Sequence, residues 1–389
     1  MKKKYIIFLI ITLVLLVVLI TSFNYFKTTN TYIDDSVNNQ TKITKGISMN
    51  LEQTAGAGDY KTVTRSSWPT EGYKFNTELS RCENGGEINW DDINKKVIVT
   101  GNVSDKCYVY FDIWIPSIAA YCTSGTDLAT CVKNFGDQGP SVSNIYIHNS
   151  ALTNGAGDNS YRYAGANPNN YVCFGSEATT CPDANLFRII GVFGDQAKVI
   201  RAKSVGDQPW HTSQVNNWSS SSLNTYLNGE YLTSLGTLAE KIATTTWKVG
   251  GGDEANISFS VPATAYQYEV GSSASTTTVD KKIGLMYVSD YYYGASPSAW
   301  KLVGYNKSDA TKDYRAATST NWLYLGSTEW TISRNSGYTY LAFLVNSAGY
   351  VYYSGYVPVS LAVRPSFNLL SSVKYISGSG SMSDPVRIN

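Results

Sequence analysis

A single apolar run near the N-terminus constrains this chain more than any other feature. From Tyr5 to Phe23 the sequence reads YIIFLIITLVLLVVLITSF, and the next charged residue is Lys27. As a helix this run spans roughly 28 Å, which is close to the thickness of the hydrocarbon core of a bilayer. The lysines at positions 2–4 favour a cytoplasmic N-terminus. We therefore expect a single-pass anchor in the cell membrane with the C-terminal bulk extracellular; the alternative is a cleaved secretory signal.

The charge balance excludes one class of partner. The chain has 31 Lys and Arg against 30 Asp and Glu, a formal net charge of +1, and no basic stripe interleaved with aromatic residues, so we expect no nucleic-acid partner. Only 16% of the residues are charged, and 30 tyrosines together with Ser, Thr, Asn and Gly supply most of the polarity. This composition favours short strands and turns over long helices.

The six cysteines form three couples of near neighbours, all beyond the apolar run, where an extracellular location permits oxidation. The couples are Cys82 with Cys107, Cys122 with Cys131, and Cys173 with Cys181. Each couple brackets a short polar loop, and closing such a loop stabilises a fold by about 2–3 kcal/mol in the chain-entropy model. We therefore expect neighbour-paired disulfides. Zinc is the alternative, but the spacings are not CxxC-like and the two histidines lie near no couple in the sequence.

Composition and strand-like patterns divide the chain into five segments. They are a transmembrane anchor at 1–27, a stalk or linker at 28–66, a small all-β module at 67–116, a disulfide-containing connector at 117–182 and an α+β domain at 183–389. The all-β module is expected because short runs such as Lys96–Thr100 and Cys107–Asp112 alternate with turn clusters.

The most regular patterns begin at residue 186. Leu186–Phe193 and Lys198–Arg201 flank the turn Gly194-Asp195, which predicts a β-hairpin. After Trp218, apolar residues recur at helical spacing in two short stretches, which predicts two amphipathic helices. Strand-like runs then return, including a hairpin around residues 346–349, so the order is α+β. We expect these elements to share one core that buries Phe187, Ile189, Leu223, Leu227, Ile242, Leu344 and Phe367.

Several pieces of this region occur in a familiar order. FRIIGVFGDQAKVIR, NNWSSSSLNTYLNGEYLTSL, KIGLMYVSD, TEWTISR and LAVRPSFNL together resemble a domain of many bacterial surface proteins. That domain is similar to the formylglycine-generating-enzyme branch of the C-type-lectin-like fold, and the resemblance covers about residues 183–377. It implies a C-type-lectin-like fold for the distal domain and carries no known activity.

The chain departs from both functional branches of that fold. The enzyme branch depends on a pair of cysteines that engage copper in its C-terminal part, whereas no cysteine follows Cys181. The sugar-binding branch holds calcium with Glu-Pro-Asn or Gln-Pro-Asp, but here Gln208-Pro209 is followed by Trp210. The run Asn154–Asn159 also lacks the alternating carboxylates of a calcium loop. We therefore expect no cofactor and no metal.

Two arginines and six aromatic residues are the candidate site residues. Arg334 and Arg364 lie in strand-like runs, where a buried guanidinium can hold a carboxylate or backbone carbonyls, so we expect two structural clamps. Tyrosines crowd the last third of the chain, and exposed tyrosines give contact area at low entropy cost. The alternative for these aromatic residues is core filling. The candidate binding surface comprises Tyr291, Tyr292, Tyr293, Trp300, Tyr350 and Tyr352.

These observations favour a non-enzymatic, membrane-anchored binding or adhesion module that recognises a surface glycan or protein. Its long loops at 246–282 and 294–321 are expected to carry the function without contributing to the core. One alternative is a cell-envelope enzyme that cleaves wall glycans, with Glu329 and Asp313 as paired carboxylates or His211 as a base. The other is a structural stalk protein.

Overall fold

The computed structural model describes residues 46–54, 57–63, 68–69, 72–91, 94, 96–100, 105–114 and 117–389. The predicted anchor at residues 1–27 and the first part of the predicted stalk lie outside these ranges. Within them, no helix combines the length and the apolar character needed to cross a membrane. The described residues divide into two compact units, one before residue 116 and one after it.

All described elements of the first unit are strands, as expected for the all-β module. They are β1 (Ile47–Glu52), β2 (Tyr60–Val63), β3 (Tyr73–Phe75), β4 (Arg81–Cys82), β5 (Glu87–Asp91), β6 (Lys96–Thr100) and β7 (Cys107–Ile113). β1 pairs in parallel with β7, while β2, β3 and β4 complete this sheet by antiparallel pairing. β5 and β6 form a separate hairpin. The predicted disulfide Cys82–Cys107 joins β4 to β7, with 4.0 Å between the Cα atoms.

The predicted stalk boundary at residue 66 is wrong, because β1 and β2 belong to this sheet. Met49 and Leu51 are both buried and contribute to its core beside Val109 and Phe111. Their spacing of two residues is that of a strand with one face on a core. Polar residues around β1 hid this short alternation in the sequence.

The second unit contains fifteen strands among its described residues. They are β8 (Ile145–Ile147), β9 (Tyr161–Tyr163), β10 (Tyr171–Cys173), β11 (Leu186–Phe193), β12 (Gln196–Arg201), β13 (Asp207–Pro209), β14 (Thr245–Lys248), β15 (Thr278–Lys281), β16 (Glu329–Arg334), β17 (Leu341–Val345), β18 (Val351–Tyr356), β19 (Ser360–Ala362), β20 (Ser366–Asn368), β21 (Tyr375–Ser377) and β22 (Val386–Ile388).

The helices of this unit are short. The α-helices are Leu128–Gly136, Pro140–Ser143, Ser222–Tyr226, Leu232–Ser234, Glu254–Ile257, Pro262–Glu269 and Val288–Gly294, and a π-helical turn spans Leu227–Tyr231. The 3₁₀ turns are Ile118–Ala120, Asp183–Asn185, Trp218–Ser220, Gly236–Lys241, Pro297–Ala299, Ala310–Lys312 and Tyr314–Thr320. The architecture is therefore mixed α+β and consists mostly of sheet. The two helices predicted after Trp218 are one continuous helical stretch at residues 222–234 and a 3₁₀ turn.

An eight-stranded sheet carries the predicted hairpin. Its order is β20-β12-β11-β10-β22-β21, and β9 pairs with β11 while β8 pairs with β9. The β11–β12 hairpin closes through the predicted turn, because Phe193 pairs with Gln196. β11 bulges at Gly191, where a Cβ atom would lie 2.3 Å from the carbonyl oxygen of Tyr161. Glycine is required there because β9 approaches β11 closely at this position.

A second sheet of five strands has the order β13-β19-β16-β17-β18, so β18 is an edge strand. β17 and β18 form the hairpin predicted around residues 346–349. β14 and β15 form a separate two-stranded ribbon. All seven residues predicted to be buried have at most 5% of their surface exposed, which confirms the predicted core.

The predicted connector at 117–182 is not a separate segment. Leu128, Val132 and Phe135 lie on one face of the helix Leu128–Gly136 and join the core of the second unit. Their helical spacing is the pattern of an amphipathic helix. The disulfides Cys122–Cys131 and Cys173–Cys181 form as predicted.

The expectation that residues 246–282 and 294–321 stay out of the core is also wrong. Trp247, Ile257 and Tyr314 are almost completely buried, at 1%, 0% and 0% exposure. These stretches are rich in Gly, Ser, Thr and Lys, and this overall polarity hid their few large apolar residues in the sequence. A single large side chain can nevertheless fill a core site when its neighbours in the chain stay polar.

Candidate functional site

Four of the six aromatic residues predicted to form a binding surface are buried, so that part of the prediction is wrong. Tyr291, Tyr292, Tyr293 and Trp300 have at most 1% of their surface exposed. The three tyrosines belong to the helix Val288–Gly294, whose residues are buried on every side. Their hydroxyl groups donate to backbone carbonyls of three different segments, at 2.7, 2.8 and 3.3 Å. Buried rings with satisfied hydroxyl groups are core residues, which is the alternative that the sequence left open.

The other two, Tyr350 and Tyr352, are half-buried and lie at the edge strand β18. They belong to a group of five rings that we call the aromatic edge. Its members are Phe259, Tyr305, Tyr350, Tyr352 and Tyr353.

The rings of the aromatic edge follow one another in a closed circuit. Tyr305 stacks on Tyr350 with 4.6 Å between the ring centroids and 24° between the planes. Tyr352 meets Tyr350 edge-on at 5.9 Å, and it contacts Tyr353 at 5.2 Å with a tilt of 54° between the ring planes. Phe259 closes the circuit, at 5.2 Å from Tyr353 and 6.3 Å from Tyr305. Phe259 is 43% exposed, so this is a continuous aromatic surface in contact with solvent.

Hydrogen bonds hold the two loops of the aromatic edge against β18. The Tyr305 backbone N–H donates to the Ser258 carbonyl at 2.7 Å, and the Ser258 hydroxyl donates to the Val351 carbonyl at 3.0 Å. The Val351 N–H donates in turn to the Gly304 carbonyl at 3.0 Å. The backbones that carry these rings are therefore fixed before any ligand arrives.

One cation lies against the aromatic edge. The centre of the Arg315 guanidinium is 5.5 Å from the Tyr305 ring and 5.3 Å from the Tyr350 ring. Its Nε and Nη2 groups donate to the two carboxylate oxygens of buried Asp313, at 2.9 and 2.6 Å. The hydrogen bonds to Asp313 raise the pKa of Arg315. Arg315 therefore presents a permanent, oriented charge beside the rings.

Three more tyrosines lie at the other end of the β17–β18 hairpin. Tyr338, Tyr340 and Tyr356 are 43%, 42% and 39% exposed. Tyr340 lies between the other two, with centroid distances of 6.2 and 6.3 Å. The sequence pattern placed these residues in the tyrosine-rich region but did not single them out. Their exposure follows from their positions at the ends of the strands.

Both arginines predicted to act as clamps have hydrogen-bond partners. Arg364 donates from Nε and Nη2 to the two oxygens of Glu329, at 2.7 and 2.6 Å, and both side chains are buried. Burial raises the pKa of Glu329, and the Arg364 charge opposes that shift. Arg334 is half-buried and donates from Nε to the Gly250 carbonyl at 2.8 Å.

The residues considered for catalysis have structural partners. Glu329 is held by Arg364 and Asp313 by Arg315, so each carboxylate belongs to its own ion pair. His211 is half-buried and accepts a hydrogen bond at Nδ1 from the Ser213 N–H at 3.3 Å. These contacts position backbone and side chains; they give no support to a pair of carboxylates facing one substrate.

A surface depression of about 350 Å³ lies away from the aromatic edge, beside the helix Leu128–Gly136. It is lined by charged side chains that include Asp127, Lys133, Asp195 and Lys374. Asp127 and Lys374 pair with each other at 2.6 Å, and both are more than a third exposed. Exposed pairs of this kind are common on protein surfaces and contribute little energy.

Sequence reasoning missed a buried ionic cluster. Arg162, Lys198, Asp290 and Glu269 have between 2% and 5% of their surface exposed, and Asp158 flanks them. Arg162 pairs with Asp158 at 2.7 Å, and Lys198 pairs with Asp290 at 2.5 Å. The available signal was Lys198, which interrupts the apolar strand AKVI at a position where a buried side chain is expected.

Comparison with family models, with curated proteins and with solved structures finds no match for this chain.

Proposed function

We propose that this chain is a membrane-anchored binding or adhesion module of the bacterial cell surface, and that the aromatic edge is its contact surface. The observation that carries the proposal is the closed circuit of five rings on the edge of a sheet, with Phe259 43% exposed. Aromatic residues dominate binding energy at protein surfaces, and an exposed aromatic patch marks an interaction site. The ligand class is a surface glycan or a surface protein.

The construction of the aromatic edge supports recognition. Tyrosine side chains lose little entropy on binding because they have few rotatable bonds. Arg315 adds a charge that Asp313 holds in place, so a ligand meets an organised cation beside aromatic faces. At the other end of the same hairpin, Tyr338, Tyr340 and Tyr356 form a second group of exposed rings.

The cellular location belongs to the same proposal. Residues 5–23 supply the single-pass anchor, with the N-terminus in the cytoplasm and the bulk of the chain outside. Three disulfides support an oxidising compartment. We also propose a C-type-lectin-like fold for residues 183–377, on the resemblance of the sequence segments given above. The alternative of a wall-glycan enzyme gains no specific support, because Glu329 and Asp313 belong to separate ion pairs. A structural stalk protein remains the other alternative.

A binding array tests the proposal. The full chain, purified in detergent, is applied to an array of surface glycans, cell-wall fragments and surface proteins. The double variant Tyr305→Ala/Tyr350→Ala should bind the captured ligand at least about 10-fold more weakly than the unaltered chain. Ile376→Ala removes a 42% exposed apolar side chain from β21 and serves as the matched control, with unchanged affinity. Equal binding by both variants would locate the contact surface elsewhere, and hydrolysis of a captured glycan would favour the enzyme.

A further inference from the structure

The closest ion pair in the buried ionic cluster joins two elements far apart in the sequence. Lys198 extends from β12, and Asp290 lies in the helix Val288–Gly294, 92 positions later. The Lys198 Nζ atom lies 2.5 Å from Asp290 Oδ2. The side chains are 6% and 2% exposed, so water has almost no access to either group.

Aromatic rings enclose the amine. The Nζ atom lies 5.6 Å from the Phe193 ring centroid, 5.3 Å from that of Trp247 and 4.6 Å from that of Tyr287. Burial lowers the pKa of Lys198, although Asp290 opposes the shift. An ammonium and a carboxylate both lose their hydration in such a site, which disfavours the charged pair relative to a neutral product. A buried lysine of this kind can act as a neutral nucleophile.

The carboxyl group of Asp290 is polarised from both sides. The Tyr287 backbone N–H donates to Oδ2 at 2.8 Å, and Arg162 Nη1 lies 3.6 Å from Oδ1. When a nucleophile attacks Cγ and Oδ2 leaves, negative charge develops on Oδ1, where the Arg162 guanidinium stabilises it, while the Tyr287 N–H holds the leaving oxygen in place. Arg162 has its own counterion, because its Nη2 group bonds to Asp158 at 2.7 Å. The charge of Asp290 is therefore not required to neutralise Arg162.

The remaining buried carboxyl group, Glu269, caps the same helix. Its oxygens accept from the backbone N–H groups of Val288 and Ser289, both at 2.8 Å, and from the Ser333 hydroxyl. Glu269 thereby fixes the first turn of the helix that carries Asp290. Glu269 is therefore a positioning residue that holds Asp290 in place beside Lys198.

We propose that Lys198 and Asp290 condense into an intramolecular amide bond, which covalently joins β12 to the helix Val288–Gly294. A proton first passes from the Lys198 ammonium to Asp290 Oδ2 across their hydrogen bond. The neutral amine then attacks Cγ, and a bond forms between Nζ and Cγ. The bond between Cγ and Oδ2 breaks, and the oxygen leaves as water with the transferred proton and a second proton from the amine. The step needs no oxidant, reductant or other co-reactant.

Intact-mass spectrometry of the full chain tests this step. After reduction of the disulfides and denaturation, the unaltered chain should be lighter than its sequence mass by one water molecule. A tryptic digest should contain one branched peptide that joins the segments around Lys198 and Asp290. Lys198→Arg keeps the positive charge but removes the amine nucleophile, and Asp290→Ala removes the carboxyl group. Both variants should have their full sequence mass.

An exposed pair in the same molecule provides an internal control. Lys203 and Asp183 lie 2.6 Å apart but are 59% and 63% exposed, so their peptides should stay separate. A folded, unaltered chain at its full sequence mass would overturn the proposal. So would a loss of water that maps to any site other than Lys198 and Asp290. The measurement on the unaltered chain decides the question even if a variant fails to fold.

Discussion

Arg364 holds Glu329 with two nearly parallel hydrogen bonds, at 2.7 and 2.6 Å, and both side chains are buried. Arg364 also donates to the Leu323 carbonyl at 2.6 Å. The Arg364 guanidinium therefore ties the segment that follows β19 to strand β16, through Glu329. It also ties that segment to the stretch before β16, through Leu323. The attraction between two buried charges offsets their loss of hydration only while both are present, so the removal of one partner leaves an unpaired buried charge.

We therefore expect Arg364→Met to lower the free energy of unfolding by about 3–5 kcal/mol, because Glu329 would be left buried and unpaired. Urea denaturation followed by tryptophan fluorescence measures this loss. The double variant Arg364→Met/Glu329→Gln should regain part of it, since the uncompensated charge is gone. Lys203→Met breaks an exposed pair and should cost less than about 1 kcal/mol. Equal losses for Arg364→Met and Lys203→Met would contradict the clamp.

His148 predicts a pH-dependent contribution to stability. It is fully buried. This burial, and to a smaller extent the nearby Arg162 charge, lowers the pKa of His148 from 6.5 to about 2. The unfolded chain therefore binds a proton near pH 6.5 that the folded chain does not bind. This contribution is complete above the unfolded pKa and is lost as the pH falls, by about 1.4 kcal/mol per pH unit.

The variant His148→Asn isolates that effect. An asparagine oxygen can replace Nδ1 as the acceptor for the Ala156 N–H, which lies 3.0 Å away. Unfolding free energies measured between pH 7 and pH 4 should fall less steeply for this variant than for the unaltered chain. Identical slopes for the unaltered chain and His148→Asn would show that His148 titrates normally in the folded protein.

Trp247 tests whether the segment 246–282 belongs to the core. Its side chain is 1% exposed, and its Nε1 group donates to the Lys281 carbonyl at 3.0 Å. Trp247→Ala should cost about 3–5 kcal/mol of stability by leaving a cavity. Phe259→Ala, in the same segment but 43% exposed, should cost less than about 1 kcal/mol. Thermal unfolding of both variants gives the two stability losses. An equally small loss for Trp247→Ala would show that this segment does not contribute to the core.

The disulfide Cys173–Cys181 predicts a loss of stability on its removal. The bridge closes a loop with a sequence separation of 8, and Cys173 is buried at the end of β10. Cys173→Ala/Cys181→Ala should lower the free energy of unfolding by about 2–3 kcal/mol in the chain-entropy model. Urea midpoints under non-reducing conditions give the difference. In reducing buffer this difference should shrink, and a difference that persisted unchanged would point to packing rather than to the cross-link.

The sequence predicted the structure best where the signal was local, that is, where neighbouring residues alone determine the element. The β11–β12 hairpin combines apolar limbs with a Gly194-Asp195 turn, and both signals are local. The disulfide pairs followed from short separations, since loop closure favours neighbours. The clamp at Arg364 followed from placing a guanidinium in a buried strand, although its partner Glu329 could not be identified without the fold.

The binding surface was harder to predict because exposure depends on tertiary neighbours. Tyr291, Tyr292 and Tyr293 would alternate in a strand, which would expose some of them. They lie instead in a helix of seven residues that other segments surround completely. Phe259 and Tyr305 reach the aromatic edge from loops that are distant in sequence, so no spacing rule could have joined them to Tyr350.

The parallel pairing of β10 with β22 constrains the order in which the second unit can assemble. Val172 pairs with Val386, so β10 gains this neighbour only after the whole intervening sequence has been synthesised. A chain that emerges N-terminus first therefore carries β10 with one unpaired edge for most of its synthesis. Exposed strand edges invite pairing with other chains. Folding of the second unit thus depends on the prompt arrival of residues 386–388, and a pause late in synthesis would expose an aggregation-prone intermediate.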